Sequence, residues 1–169
     1  MAYSVFVSHC MTAEDSPIIG AFVDRLRVRG IDPYLAERDL QPGRQLSSKI
    51  LERIRHSDLV AVFWTRRGQS SAWINQEVGA ARAEGKPVVP LVEKGVRVVG
   101  LLEGVERVEF DRSDPDAALK SLESFLARKK DAKEAAEREA EFWRDVATVA
   151  IVTSVVVALV LVLLVAAKK

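Results

Sequence analysis

Apolar and polar positions alternate along the first 128 residues in blocks whose length and period change from strand-like to helix-like and back. Tyr3 to Ser8 (YSVFVS) reads as a buried strand, and Ser16-Pro17 then offers a helix cap followed by proline at the first helical position. Ile18, Ile19, Phe22, Val23 and Leu26 recur at helical spacing until Gly30 ends the helix, and Ile31 to Leu35 predicts a second strand. The polar stretch Ala36 to Arg44 is a loop with Pro42-Gly43 as its turn signal, and Leu46, Ile50 and Ile54 mark a second helix. Leu59 to Trp64 (LVAVFW) is an unbroken apolar run, the pattern of a strand covered on both faces. A third helix carries Ser70 to Glu77. Val88 to Val92 and Arg107 to Phe110 supply two more strands, and Leu119, Leu122, Phe125 and Leu126 form the stripe of a last helix. Residues 93–105 fit a loop or one short helix. Strands alternating with helices in this way predict a parallel five-stranded sheet with helices on both faces.

The C-terminal part follows a different pattern. No glycine follows Gly104 and no proline follows Pro115, so nothing obliges the helix from Asp116 onward to break. Residues 129–145 form a charged stalk in which Lys130/Glu134, Lys133/Glu137 and Glu134/Arg138 stand at ion-pairing spacing. Residues 146–167 contain no charge and no proline, and at the helical rise they span ~33 Å, the thickness of a bilayer's hydrocarbon core. They predict a transmembrane helix in preference to a buried core helix, with 168–169 as a short basic tail. The N-terminus shows no secretory signal, and basic residues cluster before the span. The expectation is therefore a single-pass membrane protein with a C-terminal anchor, residues 1–145 cytoplasmic and the lipid bilayer as a partner.

Composition narrows the function classes. The 49% hydrophobic content is inflated by the segment at 146–167. Residues 1–128 balance 18 Lys+Arg against 18 Asp+Glu, which argues against nucleic acid as a partner. Cys10 is the only cysteine, so an intrachain disulfide and a Cys-based zinc site are both excluded, and no metal site is expected.

In an open parallel sheet, ligands collect beyond the carboxyl ends of the strands, near the point where strand order reverses. Ser8-His9-Cys10, the Arg38 to Arg44 loop and Thr65 to Trp73 follow the first three strands and should border one crevice. Trp73 and Glu77 lie four apart and share one face of the third helix, an aromatic ring beside a carboxylate near the helix's positive end. The plainer readings are a solvated Glu77 and a Trp73 that closes the helix onto the sheet.

Val5-Phe6-Val7-Ser8-His9 on the first strand, Asp39 to Gly43 after the second, Thr65 after the third, and Ser71-Ala72-Trp73 with Glu77 resemble the Toll/interleukin-1 receptor (TIR) domain, in its prokaryotic branch. The resemblance covers residues 1–128. It implies a flavodoxin-like sheet and, in the enzymes of the family, cleavage of NAD+ between nicotinamide and ribose by hydrolysis or cyclisation. NAD+ is then a substrate and no cofactor is implied. Glu77 would be the catalytic carboxylate, steadying an oxocarbenium-like ribose while the pyridinium leaves without a general acid. By resemblance, Trp73 would shape the ribose side with Ser71 next to it, and Ser8 and His9 would line the floor. Arg38, Asp39 and Arg44 would lie on a loop that packs against a neighbouring protomer, so self-association with other TIR domains is expected, in signalling or prokaryotic antiviral defence. A non-catalytic TIR adaptor is the alternative. A phosphoacceptor receiver fails because Ser8-His9 and Trp64-Thr65 stand where acidic residues would be needed, and a nucleoside deoxyribosyltransferase remains open.

Overall fold

The computed structural model describes residues 2–10, 12–35 and 48–166, with side chains placed as far as residue 156. These fall into two compact units, Met1–Arg128 and Lys129–Lys169. In the first, five strands run in parallel: β1 (Tyr3–Ser8), β2 (Ile31–Leu35), β3 (Leu59–Trp64), β4 (Val88–Glu93) and β5 (Val108–Phe110). Their order in the sheet is β2-β1-β3-β4-β5. The helices are α1 (Ser16–Val28), α2 (Ser48–His56), α3 (Ala72–Ala83) and α4 (Asp116–Ala166), with short 3₁₀ turns at Gly68–Ser70 and Gly100–Leu102.

The central strand β3 shows why the layers form. All six of its residues are buried, and their side chains alternate between faces. Ala61 and Phe63 pack with Ile19, Phe22 and Leu26 of α1 and with Leu119, Leu122 and Leu126 of α4. Val60, Val62 and Trp64 pack with Ile50 and Ile54 of α2 and with Ile74, Val78 and Ala81 of α3. Each face thus carries a helix pair, the arrangement that the apolar run at 59–64 predicts. Pro33, which cannot donate to a ladder, sits in β2 at the sheet's edge.

Some expectations shift in detail. The residue flanking α1 is Asp15, with Ser16 and Pro17 already inside the first turn, and the Ser16 hydroxyl donates to the Thr12 carbonyl instead of capping the helix. Gly30 ends α1 with φ +65°, the left-handed conformation that suits glycine. The fifth strand begins at Val108, one residue after the predicted Arg107.

In the second unit, the pairs Lys130/Glu134, Lys133/Glu137 and Arg138/Glu134 lie at 3.7, 3.8 and 3.9 Å on α4. The expectation of a transmembrane anchor is corrected: among the described residues, no helix is long and apolar enough to cross a membrane. Residues 146–156 of the predicted span lie on α4 with described side chains. The rest of the predicted span, residues 157–167, lies outside the described side chains. The single-pass membrane localisation, the cytoplasmic placement of residues 1–145 and the lipid partner rested on that anchor and are withdrawn with it.

Candidate functional site

β1 occupies the topological switch point. The chain leaves β1 for β2 on one side and returns to β3 on the other, so a crevice opens between the connections that follow β1 and β3. Ser8 is the last residue of β1, registered with Val62 of β3, whereas the pairing with β2 stops one residue earlier at Val7 and Leu35. Its side chain therefore sits where the two neighbouring strands part.

Glu77 reaches the same place from α3. Ile74, Val78 and Ala81 are the apolar stripe that holds α3 on the sheet, and position 77 belongs to that stripe by helical spacing. Its carboxylate is 0% exposed and accepts a hydrogen bond from the Ser8 hydroxyl. A carboxylate drawn into an apolar layer needs such donors, because a buried charge without them is costly. Glu77 is thus no solvated surface charge. His9 follows Ser8, is 3% exposed, and has Nδ1 within 3.2 Å of the Val7 carbonyl.

Ser71 caps α3: its hydroxyl accepts from the Ile74 N–H at 3.4 Å, and its carbonyl accepts from the Asn75 side chain at 3.1 Å. Trp73, in the first turn, is half-buried. Arg38, Asp39 and Arg44 lie outside the described residues. The structure therefore brings Ser8 and Glu77 into contact, sets His9 and the first turn of α3 on the segments that carry them, and leaves the arginine loop undescribed.

A second polar cluster escapes the sequence reading. Asp15, Thr65 and Glu93 are buried at the start of α1, the end of β3 and the end of β4. Arg112, just after β5, donates to Asp15 at 2.7 Å and to both oxygens of Glu93 at 3.0 and 3.1 Å. The Thr65 hydroxyl donates to the other oxygen of Asp15 at 3.0 Å. The hydrogen bonds from Arg112 hold the Glu93 carboxyl below its ordinary value against the opposing effect of burial, and the two carboxylates raise the Arg112 guanidinium above its own. The one local signal was Glu93, a charge closing the otherwise apolar run VVPLVE. Exposed Arg66 and Arg67 face Glu93 and Glu14 at 3.6 and 3.9 Å.

The TIR domain family model matches residues 5–123. A comparison with curated protein sequences finds no match. Among solved structures, the chain is similar to the Clostridium botulinum CMP N-glycosidase BcmB, with TM-score 0.56 and 19% identity over 72% of this chain and 98% of that one. It is also similar to the TIR domain of the Toll-related receptor TRR-2 from Hydra magnipapillata, with TM-score 0.57 and 17% identity over 74% and 98% of the two chains. A prokaryotic SEFIR domain gives TM-score 0.54 and 12% identity over 74% and 99%. Likeness at these identities speaks for the shared fold.

Proposed function

The chain belongs to the TIR-domain family, and on that premise we propose that it is a nucleotide N-glycosidase that takes NAD+ as substrate, with Glu77 acting on the ribose. The observation that carries the reading is the buried carboxylate of Glu77 held by Ser8 at the switch point of the sheet. In this reading the Ser8 hydroxyl stands where a ribose hydroxyl would bind, and the substrate exchanges one hydroxyl donor for another.

The chemistry needs little else. The bond between ribose C1′ and the pyridinium nitrogen breaks, and its electron pair neutralises the departing nicotinamide. The positive charge moves to C1′ and the ring oxygen, where an adjacent carboxylate lowers the energy of the oxocarbenium-like state. Water adds at C1′ and releases a proton, giving ADP-ribose; addition of an adenine-ring nitrogen instead would give a cyclic product. The Clostridium botulinum relative is named for N-glycosidic cleavage of CMP, in which neutral cytosine must gain a proton to leave. NAD+ carries its leaving group already cationic and makes no such demand, so it is the simpler substrate for a site built around one carboxylate.

Self-association belongs to the same proposal, with Arg38, Asp39 and Arg44 completing the site against a neighbouring copy, and with NAD+ consumption as the output of a signalling or defence response. The deciding experiment is incubation of the full chain at high protein concentration with NAD+ and, separately, with CMP, followed by mass spectrometry of the products. Nicotinamide release that disappears in Glu77→Gln is the expected result. If neither nicotinamide nor cytosine is released, the enzyme reading fails and the Ser8–Glu77 pair is a packing element of a TIR adaptor.

A further inference from the structure

The buried cluster around Arg112 lies outside the Ser8–Glu77 contact, yet it grips both connections that carry that contact. Toward the β1–α1 connection, which begins just after Ser8, Arg112 donates to the Glu14 carbonyl at 3.0 Å and to the Asp15 carboxylate at 2.7 Å. Toward the β3–α3 connection, which leads to Glu77, it acts through two acceptors. Asp15 takes the Thr65 hydroxyl at 3.0 Å, and Thr65 in turn accepts the Gly68 N–H at 3.1 Å. Glu93, held by the guanidinium, accepts the Arg66 N–H at 3.0 Å. Gly68 opens the 3₁₀ turn Gly68–Ser70, which is followed directly by Ser71, the cap of α3. One planar fork therefore fixes residues 14–15 and, through buried carboxylates, residues 65–68.

We propose that Arg112 is a positioning residue for the Ser8–Glu77 site, setting the register of the β1–α1 and β3–α3 connections against each other. The inference rests on the N-glycosidase reading for its consequence in catalysis, and on the hydrogen-bond geometry for the coupling itself. Arginine is required because a lysine ammonium carries the charge but cannot present the flat fork that reaches Asp15 and both oxygens of Glu93 together. Asp15 and Glu93 are 2% and 4% exposed, so solvent cannot take over the lost hydrogen bonds.

The test uses the full chain carrying Arg112→Lys and, separately, the near-isosteric Thr65→Val, which cuts the Asp15-to-Gly68 link without touching the ion pairs. Hydrogen–deuterium exchange of residues 66–77 and steady-state kinetics with NAD+ are measured well below the melting temperature of each variant. Both variants should exchange faster at residues 66–71, and kcat should fall by about tenfold or more with little change in KM, the signature of lost orientation and not of lost binding. A variant that melts earlier but keeps wild-type exchange at 66–71 and wild-type kcat would make Arg112 a merely structural residue and overturn the proposal. If the wild type shows no activity on any nucleotide, exchange alone decides the coupling: faster exchange at 66–71 upholds it while the N-glycosidase reading falls, and unchanged exchange there removes both.

Discussion

Ser8 and Glu77, 69 residues apart, meet because β1 and α3 converge on the one point of the sheet where strand order reverses. Removing either partner has a different cost. Ser8→Ala takes one donor from a buried carboxylate and should destabilise the fold by ~1–3 kcal/mol, whereas Glu77→Gln keeps the shape and loses the charge. On the N-glycosidase reading, Glu77→Gln should lower kcat by ~100-fold or more, and Ser8→Ala much less. Urea unfolding together with nicotinamide release separates the two effects; equal activity in all three proteins would remove Glu77 from catalysis.

The Arg112 cluster predicts an acid limb. In the folded chain, hydrogen bonds from Arg112 lower the Glu93 carboxyl from an ordinary value of 4.5. The folded state therefore holds this proton less tightly than the unfolded state, so stability from Glu93 is complete above about pH 4.5 and is lost as pH falls through the lowered folded value. Urea midpoints measured from pH 7 down to pH 3 should decline, and Glu93→Gln should flatten part of that decline while lowering stability at pH 7. A Gln variant with the wild-type acid slope would assign the limb to other carboxylates.

Tyr3 predicts the opposite limb. Burial, and then the negative charge of Asp58, push its phenol from 10.0 up to about 12. The folded state holds the phenolic proton more tightly, so this contribution is full below pH 10 and disappears between pH 10 and 12. Tyr3→Phe should lose less stability than the wild type over that interval, as followed by circular dichroism.

How far the sequence carries depends on whether a contact is local. The β3 run LVAVFW has a single physical solution, burial on both faces, and the alternation of its side chains follows from strand geometry alone. Trp73 and Glu77 are placed together by helical spacing, but periodicity could not say which face of α3 meets the sheet; the stripe of Ile74, Val78 and Ala81 answers that by drawing Glu77 inside. Asp15 resembles an ordinary helix-flanking acid until a guanidinium 97 residues away closes on it. The expected anchor at 146–167 is not matched by any membrane-crossing helix among the described residues.

Gly68 tests the packing on which the site's approach depends. A methyl group there would stand 3.1 Å from Ile74 Cδ1, 3.2 Å from the Phe63 carbonyl oxygen and 3.3 Å from Thr65 Oγ1. Ile74 could yield by rotating, but the carbonyl belongs to the central strand, and Thr65 is held by Asp15. Gly68→Ala should therefore cost ~1–3 kcal/mol by overpacking and loosen the turn that precedes the Ser71 cap. Thermal unfolding measures the first effect, and amide exchange at residues 66–71 the second. An Ala variant as stable as the wild type, with unchanged exchange, would mean that the β3–α3 connection can shift freely, and the close approach at Gly68 would then have no part in placing Glu77.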